Sequence, residues 1–256
     1  MKIKKFVSIA KTVALSTAIS ASLLSSHFVQ AETLKIAFTG YSTDQPFWVG
    51  VGVAAYSQAE KMGVEFIDLT ATEADAAAQK DAVDRAITMG VDGIIIGAVD
   101  NRGFNESLNR AMRKQIPVVT VDTAIKHKWV KSLVQTDNFA AASIAGDYIV
   151  ENMKPGKVLI LGGSQGHQTG NARRDGVKSK AEAAGHEVIF RICDWQEACA
   201  YLTTMNETMA NKDITAIFAA SDPMALSAVA AIKERGMLED VVIVGFDGNP
   251  GNLKSI

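Results

Sequence analysis

From Glu32 onward the chain alternates short β-branched runs with amphipathic stretches. The runs at 34–38, 64–69, 93–97, 118–121, 157–161, 187–191, 216–219 and 241–245 read as strands. Helical periodicity marks 47–62, 73–89, 104–114, 140–153, 171–184, 196–210 and 224–235. Runs such as Gly93-Ile94-Ile95-Ile96-Gly97 are apolar without alternation, which is the pattern of a strand covered on both faces. Repeated βα units of this kind predict an α/β fold of doubly wound parallel sheets. The rhythm breaks once. After Val121 comes a polar stretch to Lys131, then Ser132 to Asn138, before the next helix. This break predicts two lobes, at 32–134 and 135–256, each of ordinary domain size.

The first 31 residues follow a different pattern. Lys2, Lys4, Lys5 and Lys11 form a basic start without acids, and an apolar run from Thr12 to Leu24 follows. Val29-Gln30-Ala31 supplies small residues at the positions a signal peptidase reads. The run is too short to cross a bilayer, which takes about 20 helical residues. No cysteine stands near the cut to carry a lipid. The segment reads as a cleaved signal peptide, and the mature chain is expected in the periplasm. Its removal leaves 22 basic residues against 28 acidic ones, a net charge of −6. Such a surface argues against nucleic acid, which needs a basic face.

Parallel sheets bind ligands beyond the carboxyl ends of their strands. Asp44, Phe47 and Trp48 follow the first strand, Asp100 and Asn101 the third, and Asp122 the fourth. Arg173 follows a Gly-rich loop; Asp194 and Trp195, Ser221 and Asp222, and Asp247 and Asn249 follow the last three strands. Rings cover the C–H face of a sugar, while ionised groups make short directional bonds to hydroxyls. Together these loops ask for a polyhydroxylated ligand. Each residue alone could serve as a cap or rim residue, as Asp44 before Pro46 could cap a helix.

Three other features admit competing readings. Gly162-Gly163-Ser164-Gln165-Gly166 matches the nucleophile elbow of a serine hydrolase. The helical pattern resumes only near Asn171, however; an acid and then a histidine must follow in chain order, and the only histidine that does so is His186, at a strand start, so a tight turn around a ligand is the better reading. Cys193 and Cys199 could close a small loop in an oxidising compartment or remain two buried thiols. The four histidines are scattered without metal-ligand spacing. No metal, cofactor or catalytic residue is expected.

Six segments in order carry a resemblance over the whole mature chain. They are Asp44-Gln45-Pro46-Phe47-Trp48, Ile116 to Asp122, and Thr136-Asp137-Asn138 with Ala145-Gly146-Asp147-Tyr148. The others are Ala172 to Gly176, Ala219 to Leu226, and Val244 to Gly248. The chain resembles the ribose/galactose-type periplasmic sugar-binding proteins, whose fold is shared with the effector domains of lactose-repressor-like regulators. The resemblance implies a monomeric, two-lobed protein that closes by a hinge over one monosaccharide or related polyol and delivers it to an ABC transporter permease. It implies that Phe47, Trp48 and Trp195 are the aromatic walls, that Asp122 and Asp247 accept from hydroxyls, and that Arg173 donates. Asp44 and Ser221 fall where the family has Asn, and Thr123 where ribose binders carry an arginine, which tilts the reading away from ribose. The same fold could instead feed a chemoreceptor or sensor kinase with a sugar or furanosyl signal. The family continues beyond the position matched by Ile256, so the sequence is expected to be C-terminally truncated, leaving the first lobe incomplete.

Overall fold

The computed structural model describes residues 32–249; the expected leader at 1–31 lies outside the described residues. Within them the chain forms two parallel sheets. The first contains β1 (Lys35–Thr39), β2 (Glu65–Asp68), β3 (Gly93–Ile96), β4 (Val118–Val121) and β5 (Val130–Val134), in the order β2-β1-β3-β4-β5. The second contains β6 (Lys157–Gly162), β7 (Val188–Ile192), β8 (Ile214–Ala219) and β9 (Val242–Val244), in the order β7-β6-β8-β9. Every recorded strand pair is parallel. Helices α1 (Pro46–Lys61), α2 (Ala76–Met89) and α3 (Asn105–Arg113) join the strands of the first sheet. Helix α4 (Asn138–Asn152) leads into the second sheet, where α5 (Gln168–Ala183), α6 (Glu197–Ala210) and α7 (Asp222–Glu234) make the connections.

Both sheets share one winding rule. The chain steps outward from the first strand to the second, then returns across the first to the third. With right-handed crossovers, that reversal puts successive helices on opposite faces and opens a crevice between β1 and β3, and another between β6 and β8. Each sheet has its own core. Val158 to Leu161, Ile217, Phe218 and Met224 are fully buried in the second; Ile94, Ile96, Leu108 and Val118 are nearly or fully buried in the first.

The structure departs from the sequence expectation in two places that matter. Residues 130–134, read as part of a polar break, form β5, an edge strand. Its side chains after Val130 are exposed in the described residues, so no alternation marks it. Helix α5 begins at Gln168, not near Asn171, because Gly170 in its first turn hid the periodicity.

Helices α4 and α5 cross through two glycines. A Cβ on Gly176 would lie 2.6 Å from the Phe139 carbonyl oxygen, and one on Gly146 would lie 2.9 Å from Lys180 Cβ. Gly50 on α1, by contrast, faces open space. Gly176→Ala is therefore expected to lower stability by about 1–3 kcal/mol through overpacking, while Gly50→Ala raises it by roughly 0.5–1 kcal/mol. Denaturant unfolding of both variants tests the crossing; a neutral Gly176→Ala would refute it.

Candidate functional site

At the crevice of each sheet a tryptophan ring lies on glycine. The Trp48 ring, from the first turn of α1, occupies the space that a Cβ on Gly97 would need and comes within 3.2 Å of a Cβ on Gly40. Trp195, between β7 and α6, does the same to Gly163 and comes within 3.2 Å of a Cβ on Gly170. The first platform is fastened from behind. Buried Gln79 donates to the carbonyls of Gly40 (2.7 Å) and Gly97 (2.8 Å) and accepts from the Val99 amide (2.8 Å). The second sits in a strained turn, with Asp194 and Trp195 at φ 49° and 63°. A bulky residue in that region marks a position over-determined by its surroundings.

Between the two rings lies a cavity with about 430 Å³ of empty space, part of it open to solvent. The first half of the chain supplies Tyr41, Gln45, Phe47, Trp48 and Asp122; the second supplies His167, Thr169, Arg173, Trp195, Ser221 and Asp247. The walls touch across the cleft. Thr169 Oγ1 donates to Asp122 Oδ2 at 3.2 Å, His167 Nε2 lies 3.4 Å from Thr123 Oγ1, and the His167 ring meets Tyr41 and Trp195 edge-on.

Arg173 anchors the polar side. Its guanidinium donates to Asn138 Oδ1 (2.9 Å), the Ala220 carbonyl (2.7 Å) and Asp247 Oδ1 (3.0 Å), and it stacks 3.8 Å from the centre of the Phe246 ring. The Arg173 and Asp247 side chains are only 7% and 8% exposed, so both charges sit largely out of water. Burial lowers the Arg173 pKa, with Asp247 and Asp122 opposing that fall. Burial also raises the Asp247 carboxyl to about 6, with Arg173 pulling down and Asp222 pushing up. Burial lowers the His167 imidazole below its usual 6.5. Among the described residues, three buried polar atoms on the cavity's lining find no hydrogen-bond partner: His167 Nδ1, Trp195 Nε1 and Ser221 Oγ. Ser221 stands at the N-cap of α7 without capping it, and its hydroxyl is left for something else.

Of the expected site residues, Phe47, Trp48, Asp122, Arg173, Trp195, Ser221 and Asp247 line this cavity together. Asp44 does not. It is exposed and accepts from Ser42 Oγ, and the N-cap of α1 falls on Gln45, so it is neither a lining residue nor the cap. Sequence reasoning missed Tyr41, Gln45, His167 and Thr169. Tyr41 and Gln45 share the loop of Phe47 and Trp48. His167 and Thr169 lie in and just after the Gly-rich loop that was read only as backbone. In that loop Gly163 is the platform under Trp195, while His186, bonded to the Gly156 carbonyl, lies at the opposite end of β6 from Ser164. No elbow geometry joins the two.

The comparisons with known proteins agree with this architecture. The family described as periplasmic binding protein domain matches residues 36–256, and the chain belongs to it. The chain is 28% identical to the ribose import binding protein RbsB of Escherichia coli K12, over 100% of this chain and 84% of that protein. Among solved structures it is similar to an ABC transporter solute-binding protein from Mycobacterium smegmatis with bound glycerol. The TM-score is 0.81 and the identity 29%, over 88% of this chain and 78% of that one. It is also similar to a periplasmic solute-binding protein from Actinobacillus succinogenes with bound D-allose. That TM-score is 0.81 and the identity 26%, over 87% of this chain and 81% of the other.

A carboxyl that holds its proton more tightly when folded favours the folded state at low pH. Asp247, raised from 3.8 to about 6, contributes fully below about pH 4, and its contribution is lost as pH rises through 6. The loss is on the order of 3 kcal/mol, at about 1.4 kcal/mol per unit. His167 acts in the opposite sense, its contribution being lost as pH falls below 6.5. The test is therefore the difference in unfolding free energy between the wild type and Asp247→Asn. The wild type is expected to lose ground steadily between pH 4 and 6; a constant difference would contradict the assignment.

Proposed function

We propose that this protein is an exported solute-binding protein that captures a monosaccharide or related polyol between two lobes, 32–134 and 135–256, and hands it to an ABC importer. The observation that carries the reading is the set of three orphaned buried polar atoms, His167 Nδ1, Trp195 Nε1 and Ser221 Oγ, on one cavity walled by aromatic rings. Buried polar groups without partners are costly, and a ligand rich in hydroxyls would satisfy all three. Trp48 and Trp195 would cover the ligand's C–H faces, Asp122 and Asp247 would accept from its hydroxyls, and Arg173 would donate. The RbsB relative and the glycerol- and allose-bound structures support a ligand of this class.

Capture would proceed by closure. With the lobes apart, water solvates the polar groups of both walls. A ligand bridging them selects the closed arrangement, in which contacts such as Thr169 to Asp122 and His167 to Thr123 form across the cleft. The expected leader and the family's description support a periplasmic location.

The reading is tested by thermal shift against monosaccharides, polyols and furanoses. A micromolar ligand supplied at millimolar concentration adds about 4 kcal/mol, which is several degrees in Tm. Trp48→Ala and Trp195→Ala are then expected to weaken that ligand at least about tenfold by calorimetry, since each removes a large stacking face. Unchanged affinity in both variants would overturn the site, and no shift across the panel would overturn the ligand class.

A further inference from the structure

Two thiols meet beneath the strained turn that carries Trp195. Cys193 directly follows β7 and is buried; Cys199 lies in the first turn of α6 and is half-buried. Their Sγ atoms are 2.6 Å apart, well inside the roughly 3.5–4.0 Å at which even carbon atoms rest without bonding. The chain between them is the whole β7–α6 turn. It includes Asp194 and Trp195 with positive φ, and it is tied to the sheet by the Cys193 amide donating to the Gly162 carbonyl at 2.9 Å. Apart from each other, the sulfurs have only weak neighbours: Thr203 Oγ1 at 3.5 and 3.6 Å, and the Ile192 carbonyl 3.6 Å from Cys199.

We infer that Cys193 and Cys199 form a disulfide that closes this turn and braces Trp195 against Gly163, so that reducing it loosens one wall of the cleft. The bridge is separate from the proposed ligand and does not depend on it. A small-molecule disulfide such as oxidised glutathione is a sufficient oxidant. Cys199, the more accessible thiol, loses a proton and attacks one sulfur of that disulfide; a mixed disulfide forms, and one small thiolate leaves and takes up a proton. Cys193 then loses its proton and attacks Cys199 Sγ, which forms the internal bond and expels the second thiolate to be protonated in turn. Two cysteine sulfurs are oxidised, one small disulfide is reduced to two thiols, and protons and electrons balance. Burial, first among the causes, pushes the Cys193 thiol up to about 12, which agrees with its acting second.

The test uses the full chain equilibrated in oxidised or reduced glutathione, then alkylated under denaturing conditions and weighed by mass spectrometry. The oxidised sample is expected to take no alkylating label and to be lighter by two hydrogen atoms; the reduced sample is expected to take two labels. Oxidised protein is expected to melt several degrees higher. Its near-ultraviolet tryptophan signal should change on reduction in the wild type but not in Trp195→Phe. The Cys193→Ser/Cys199→Ser double variant should match reduced wild type in either buffer. Two labels, or a lasting glutathione adduct on Cys199, in the oxidised sample would overturn the bridge. A bridge that forms while leaving Tm and the Trp195 signal unchanged would overturn its bracing role.

Discussion

The placement of two indole rings directly on glycine backbone is the constraint around which the cleft is organised. A parallel sheet wound outward and back leaves a notch at the carboxyl ends of its first and third strands, and a flat side chain can lie in that notch only where no Cβ intervenes. Gly97 and Gly40 meet that condition for Trp48, and Gly163 and Gly170 meet it for Trp195. The same glycines have other partners: Gln79 bonds the carbonyls of Gly40 and Gly97. The position of each aromatic face within its own half is therefore set by the glycines of the sheet beneath it, not only by the loop that carries the ring.

The polar side of the cavity rests on a second constraint, the burial of Arg173. A guanidinium so far out of water must have its donors filled, and Asn138, the Ala220 carbonyl and Asp247 fill several of them. These partners come from α4, the end of β8 and the end of β9, so one side chain ties three parts of the second half together around the cavity. The stacking of Phe246 on Arg173 gives the cation a face as well as edges. Burial, more than the neighbouring Asp222 and Asp122, raises the Asp247 carboxyl, and the Arg173 guanidinium offsets that rise only in part.

Most of the fold was legible because its strands are short apolar runs separated by helices, a pattern that leaves few alternatives. It failed at β5, whose exposed side chains carry no period, and at the start of α5, where Gly170 is present for Trp195 and not for the helix. Seven lining residues were legible from the loops and helix starts that follow the strands. Asp44 occupies the same kind of position yet turns toward Ser42, because a loop's direction depends on contacts that spacing does not encode. His167 and Thr169 were hidden for the reverse reason. A Gly-rich loop draws attention to its backbone, whereas here two side chains in and just after it reach across to the other half of the protein.

The two halves do not contribute alike. The first brings Tyr41, Phe47 and Trp48 with one amide, Gln45, and a single carboxylate; the second brings the guanidinium, a carboxylate, a serine, a threonine and an imidazole beside one indole. One side is mainly aromatic, and the other holds most of the directional groups. Under the proposed function, most of the selectivity would come from residues 167–247. Divergence to a new ligand could proceed by exchanging a few loop-tip side chains on that side alone, while the opposing surface, and both sheets beneath, stay as they are.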